Sequence, residues 1–198
     1  MRQNPARRTA LLDAAIEVLA RDGSRGLTFR AVDVEAAVPN GTASNYFTNR
    51  DDLLGQVTGR TRERFTPVEA EVEATMRAPR TRSLVTQLMR DLYGRMLRDR
   101  SSYLAMLELR LEATRRPELQ AALTEVFTAN LRDSIRFHLD AELPGDQTTV
   151  LVLYLAMSGL LVDDLTVPGV LAPFHLDELI ANLVERILPP EAPSDLPG

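Results

Sequence analysis

The chain has 198 residues, 44% of them hydrophobic, enough for one domain or two small ones with a real apolar core. It has no cysteine and two histidines, His138 and His175, which excludes disulfides and thiolate metal sites and leaves no metal-ligand spacing such as H-E-x-x-H. The net charge is −5, yet residues 1–50 carry seven arginines against five acids and the remainder sixteen against twenty-three, so a small basic module sits on an acidic body.

All 23 basic residues are arginine, which reads as codon bias rather than mechanism. The longest apolar run, Val150 to Val162, is shorter than the roughly 20 residues of a membrane span. No apolar stretch follows Met1-Arg2-Gln3-Asn4-Pro5, so no signal peptide is expected and a soluble, cytoplasmic protein is the default.

Along the chain, apolar residues recur at helical spacing between clusters of proline and glycine, which predicts an all-α protein of about nine helices without internal repeats. Leu12, Ala15, Ile16 and Leu19 give the face of a first helix, stopped by Asp22-Gly23-Ser24 and Gly26. Thr28 is the expected N-cap of a short second helix through Ala37, Pro39-Asn40-Gly41 is a turn, and a short third helix should run from Thr42 to Phe47. Asn49 should cap a longer fourth helix past Leu53, Leu54 and Val57, with Pro67 leaving its length open.

A fifth helix is predicted beyond Pro79, a sixth from Ser101 or Ser102 to about Arg115-Arg116, and a seventh from Pro117 to the break at Leu143-Pro144-Gly145. The eighth, about Thr148 to Leu165, is nearly all apolar at its centre; the ninth carries Leu176, Leu179, Ile180, Leu183, Val184 and Ile187 on one stripe. The proline-rich tail is expected to be disordered.

Three short N-terminal helices with a tight turn between the second and third form the arrangement that offers a helix to the DNA major groove. Phe29, Val32 and Ala36 should pack the second helix inward, and Ala43 and Phe47 the third, leaving Asn40, Thr42, Asn45 and Tyr46 outward. Asn suits adenine, Thr a phosphate or a thymine methyl, and Tyr a phosphate oxygen. Arg30 could reach guanine, and Arg50, at the start of the fourth helix, could hold a phosphate with the free backbone amides there. Arg7 and Arg8 read equally as a solvated pair or as phosphate contacts.

Residues 28–53, TFRAVDVEAAVPNGTASNYFTNRDDL, resemble without a gap the signature of the TetR family of transcriptional regulators. In that signature a threonine opens the second helix, an Ala-Gly-Val turn precedes the recognition helix, and a Phe and a basic residue lead into the fourth. The chain departs from the pattern at Ala37 (usually glycine), Ser44 (usually tyrosine) and Arg50 (often lysine), and G-T-x-S-N-Y-F resembles a variant signature in which Tyr46 takes over the phosphate contact expected at position 44. Asp33, where the family favours alanine, receives no role.

The resemblance implies a helix-turn-helix DNA-binding domain over 1–49, a helical ligand-binding and dimerisation domain over 50–188 and a tail over 189–198. Thr28, Arg30, Asn40, Gly41, Thr42, Ser44, Asn45, Tyr46 and Arg50 are the expected DNA-binding set. It further implies a homodimeric repressor on a palindromic double-stranded operator, released by a small-molecule effector, with the eighth and ninth helices packed on their symmetry mates as a four-helix bundle.

The dimer candidates are Leu151, Tyr154, Met157, Leu161, Leu176, Leu179, Ile180, Leu183 and Ile187, or these helices are internal core. Met89, Tyr93, Met96, Tyr103, Met106 and Phe127 could line an adaptable apolar pocket or be ordinary core. Arg110, Asn130 and His138 could orient a ligand there; the alternatives are an exposed salt bridge for Arg110 and polar groups satisfied by neighbours for the other two. No cofactor or metal is expected, and with no catalytic motif of recognisable spacing the chain does not read as an enzyme.

Overall fold

The computed structural model describes residues 4–189, and among these it is all-α, with nine helices, two 3-10 turns and no strand. The helices are α1 (Pro5–Gly26), α2 (Phe29–Glu35), α3 (Arg50–Phe65), α4 (Glu69–Thr75), α5 (Arg82–Arg98), α6 (Arg100–Ala113), α7 (Pro117–Asp140), α8 (Gln147–Thr166) and α9 (Leu176–Ile187). The 3-10 turns are Ala43–Asn45 and Pro168–Val170. The tail from residue 190, where disorder was expected, lies outside the described residues. Two compact units result: residues up to 66 with 98–128, and 67–97 with those from 129 on.

The first unit is built on α1. Asn4 caps it by accepting from the amides of Ala6 and Arg7, and Leu11, Ala15, Ile16 and Leu19, all fully buried, face Leu53, Leu54 and Val57 of α3 and Ala105 and Leu109 of α6. The terminator expected at Asp22-Gly23 is a kink: Gly23 takes φ 68, and one more turn runs on to Gly26. Asn49 caps α3 through the Asp52 amide, and α3 stops at Phe65, two residues before Pro67, whose ring disfavours helical geometry in the residue preceding it. Two ion pairs and a hydrogen bond then lace the three helices: Arg60 to Asp13 at 2.8 Å, Arg64 to Asp99 at 2.7 Å, and the Ser101 hydroxyl donating to Glu17 at 2.6 Å.

In the second unit Leu84, Val85, Leu143, Leu153, Val184 and Leu188 form one apolar cluster, and Met157, Leu160 and Ile180 another. The sequence does not announce α4, because it buries no residue and so has no apolar stripe to betray it. By length and mean hydropathy α8 could cross a membrane, but Leu153, Met157, Leu160 and Leu161 are buried within the unit, as in the core helix of a folded domain. Its start is fixed by a capping box in which the Asp146 carboxylate accepts from the Thr149 amide at 2.9 Å and the Thr149 hydroxyl accepts from the Asp146 amide.

The end of α7 is held by His138. The chain turns through Glu142 at φ 54, with the Leu143 amide reaching back to the His138 carbonyl and the Glu142 amide to Leu139, a Schellman closure. The buried imidazole donates from Nε2 to the Pro144 carbonyl at 2.9 Å, so the proton resides on Nε2. Burial pushes its pKa below the ordinary value, and the bond to Pro144 only partly offsets this.

The unfolded chain therefore takes up the second, Nδ1 proton more readily than the folded one, and stability, full above about pH 6.5, is lost as the pH falls through the lower folded value. Replacing His138 by Gln, which keeps a donor for Pro144 but does not titrate, should flatten the drop in melting temperature between about pH 7 and 5. Parallel pH profiles for the two proteins would contradict this account.

Candidate nucleic-acid interface

Local chemistry shapes residues 28–47. The Thr28 hydroxyl accepts from the Ala31 amide at 3.1 Å and starts α2. A second Schellman closure ends it: the Val38 amide donates to the Asp33 carbonyl at 3.0 Å and the Ala37 amide to Val34 at 3.1 Å. This geometry puts Ala37 at φ 51, which explains why glycine is usual there; an alanine costs about 1 kcal/mol in the left-handed region. Gly41 follows at φ +88, where a Cβ would touch nothing within 4 Å, so conformation rather than crowding calls for glycine.

Inward packing is as expected. Val32, Ala43 and Phe47 are fully buried, and Phe29, Ala36 and Val38 close around them. The same face of α2 carries Asp33, 1% exposed, whose Oδ2 accepts from the Gly41 amide and Oδ1 from the Ala43 amide, each at 2.7 Å. Sequence reasoning missed it. The available signal was an acid sharing the face of Phe29, Val32 and Ala36, since a buried carboxylate needs partners.

The third helix expected over Thr42 to Phe47 is a single 3-10 turn, Ala43–Asn45, flanked by Thr42 and Tyr46 in helical geometry and closed by the Phe47 amide on the Ala43 carbonyl at 2.9 Å. A segment this short cannot propagate a regular helix. Asn40, Gly41, Ser44 and Asn45 are exposed, as are Thr28 and Arg30. The Ser44 hydroxyl and the Asn45 amide group both donate to the Gly41 carbonyl, at 2.8 and 3.0 Å, and the Thr42 hydroxyl to Pro39 at 2.5 Å.

Three expectations change. Tyr46 is half-buried rather than outward, because its ring packs on the core with the Arg8 guanidinium 5.8 Å above it; Arg8 is thus neither a simply solvated charge nor, in this geometry, aimed outward, since it also bonds Gln56. Arg50 turns inward, donating to the Leu27 carbonyl and the Ser24 hydroxyl, both at 2.9 Å, and to the Ser24 carbonyl. It ties the start of α3 to the α1–α2 junction instead of offering its charge to a phosphate.

Beside that tie, Glu108 of α6 accepts from the Ser24 amide at 3.0 Å, and Arg116 bridges Glu112 and Asp51 at 2.6 Å each. Arg116 holds the Glu112 carboxyl down at about 2. Ser24, Arg50, Glu108, Glu112 and Arg116 line a cleft of about 740 Å³.

The expected pocket residues divide between the units. In the first, Met106 is core with Phe127 packed against it, Tyr103 tilts on Phe65 at 6.4 Å, and exposed Arg110 lies 4.9 Å from the Phe127 ring centre. Arg110 therefore stacks rather than forming the salt bridge weighed for it. In the second, Met96 is buried, Met89 and Tyr93 pack on Met157 and Leu160, and the Tyr93 hydroxyl donates to Asp164 at 2.7 Å. Burial, with Asp164 beside it, raises the Tyr93 phenol well above the usual range. Asn130 is exposed on α7, and His138 is taken by Pro144, so neither faces a pocket.

The expected dimer set also needs correcting. Met157, Leu161 and Ile180 are at most 4% exposed within the chain itself and have no surface left for a partner. Tyr154, Leu176, Leu179, Leu183 and Ile187 are half-buried, the last three against the unit's own clusters. The outward face of α8 is Leu151, Val152, Leu155 and Gly159, with Leu155 59% exposed. Val152 and Leu155 were missed because a helix apolar all round does not declare which stripe its own domain covers.

Two family models match: that of the tetR family of bacterial regulatory proteins over residues 11–57, and that of the tetracyclin repressor-like C-terminal domain over 80–190. A TetR-family member from Streptomyces coelicolor A3 superposes with TM-score 0.70 at 30% identity, covering 94% of this chain and 100% of that one. The multidrug binding protein EbrR complexed with imidazole gives 0.67 at 28%, covering 97% and 100%; complexed with ethidium it gives 0.68 at 28%, covering 93% and 99%. Comparison with curated proteins gives no match.

The strain at position 37 is measurable. Ala37→Gly should stabilise the protein by about 1 kcal/mol, read as a raised denaturation midpoint with unchanged slope. A destabilised Gly variant would mean that the left-handed backbone at Ala37 is wrong.

Proposed function

Since the chain belongs to the TetR family of bacterial transcriptional regulators, we propose that it is a homodimeric repressor on a palindromic operator, released by a small molecule. The observation that carries the DNA half is the exposed polar edge of the 3-10 turn. Asn40, Ser44 and Asn45 are exposed there, beside half-buried Thr42, with Thr28 exposed at the cap of α2 and Arg30 exposed in its first turn. Amide and hydroxyl groups of this kind read base edges and hold phosphates. In this reading residues 1–49 contact DNA, 50–188 dimerise and bind the effector, and the protein works in the cytoplasm without catalytic activity.

A palindrome requires a two-fold pair of reading turns about 34 Å apart, or a multiple of that. The stripe Leu151, Val152, Leu155 and Gly159 on α8 suits such a pairing, because Gly159 has no atom within 4 Å of the position a Cβ would take and lets a second helix approach closely. For the effector we infer an aromatic organic cation. EbrR is described in complexes with ethidium, malachite green and proflavin. Here the Asp164 carboxylate, at the hydroxyl of half-buried Tyr93 and near the cluster that Met89 and Leu92 join, offers the matching charge and an aromatic neighbour.

Duplexes enriched from a random library by the wild-type protein supply the probe. Asn45→Ala should weaken binding to the enriched duplex by about 1–3 kcal/mol and relax selection at the bases it reads. Leu155→Glu should yield a monomer by analytical ultracentrifugation and lose the two-fold site. Ethidium should raise the melting temperature of the wild type and not of Asp164→Asn. Failure to enrich any duplex at low salt would end the DNA reading.

A further inference from the structure

The 3-10 turn lacks a cap of its own. Thr42, at its N-cap position, makes no side-chain cap bond, and its hydroxyl donates back to Pro39. Asp33, on the preceding helix, takes the amides of Gly41 and Ala43 instead, one on each carboxylate oxygen, at 2.7 Å. Amide bonds to an ionised, buried acceptor are short and about twice as strong as neutral ones.

Gly41 is where this matters. Its backbone sits at φ +88 with open space where a side chain would be, so no side-chain packing holds it and its hydrogen bonds carry the restraint. Its amide is held by Asp33, and its carbonyl receives both the Ser44 hydroxyl and the Asn45 amide group. Ala43 and Phe47 are anchored by burial, which fixes their positions but not the rotation of residues 40–42. We propose that Asp33 is the positioning residue of the DNA-reading turn: its carboxylate clamps Gly41 and Ala43 and thereby sets the direction in which Asn40, Ser44 and Asn45 are presented. This rests on the reading of residues 28–47 as the DNA contact.

The test uses the full chain, the duplex enriched by the wild type, and poly(dI-dC) as non-specific DNA. In Asp33→Asn, equal in volume but with an NH2 group facing one backbone amide, helicity and oligomeric state should stay as in the wild type. Affinity for the enriched duplex should fall by at least about tenfold, while that for poly(dI-dC) changes by less than about twofold. Amide hydrogen exchange should find Gly41 and Ala43 protected in the wild type and released in Asp33→Asn, with α1 and α6 unaffected.

Unchanged affinity for the enriched duplex, an equal loss on both DNAs, or fast exchange of Gly41 and Ala43 in the wild type would each overturn the proposal. Asp33→Ala should repeat the Asn result; if it unfolds, Asp33→Asn and the wild-type exchange rates still decide. If the wild type enriches no duplex, the DNA reading fails, while the exchange comparison still decides the clamp.

Discussion

A seven-residue helix and one 3-10 turn cannot bury enough surface to hold their own orientation. The geometry of residues 28–47 is therefore imposed from outside. Below, α1 supplies an apolar floor: Val32, Ala43 and Phe47 share one buried cluster with its Leu11, Ala15 and Leu19. Across the turn, the Asp33 carboxylate joins α2 to the residues that follow it. Remove the floor and the elements separate; remove the carboxylate and they keep contact but lose their register.

The same division between apolar floor and polar tie recurs at the junction of α1, α3 and α6. Leu54, Val57 and Leu109 are fully buried there. Where the α1 backbone breaks helical geometry at Gly23, the exposed amides and carbonyls of the kink need partners, and Glu108 and Arg50 provide them from two other helices. A guanidinium is well suited because it stays charged and presents several donors in a fixed plane, so it serves three acceptors on Ser24 and Leu27 together.

Much of this was legible in sequence wherever one periodicity or one cap decided the outcome. The face of α1, the caps at Thr28 and Asn49, the breaks at Gly23 and Leu143-Pro144-Gly145, and the inward set Val32, Ala43 and Phe47 follow from spacing and turn chemistry. What sequence concealed depends on contacts between residues far apart in the chain. Arg50 looked like a phosphate ligand because its basicity is visible and its partners, Ser24 and Leu27, are not. Asp33 looked idle for the same reason. The choice of Leu155 over Met157 as the open face of α8 could not be made from a helix apolar on every side.

The left-handed alanine at position 37 bears on how such a chain drifts and how it can be engineered. Alanine and glycine codons differ at one base, so the relaxed backbone is a single nucleotide away, and a strain of about 1 kcal/mol is small beside the ~5–15 kcal/mol stability of a folded domain. Positions of this kind are reservoirs. A variant weakened elsewhere, by a change at the exposed polar edge of the turn, recovers its lost margin at residue 37 without touching any of the polar groups on that edge.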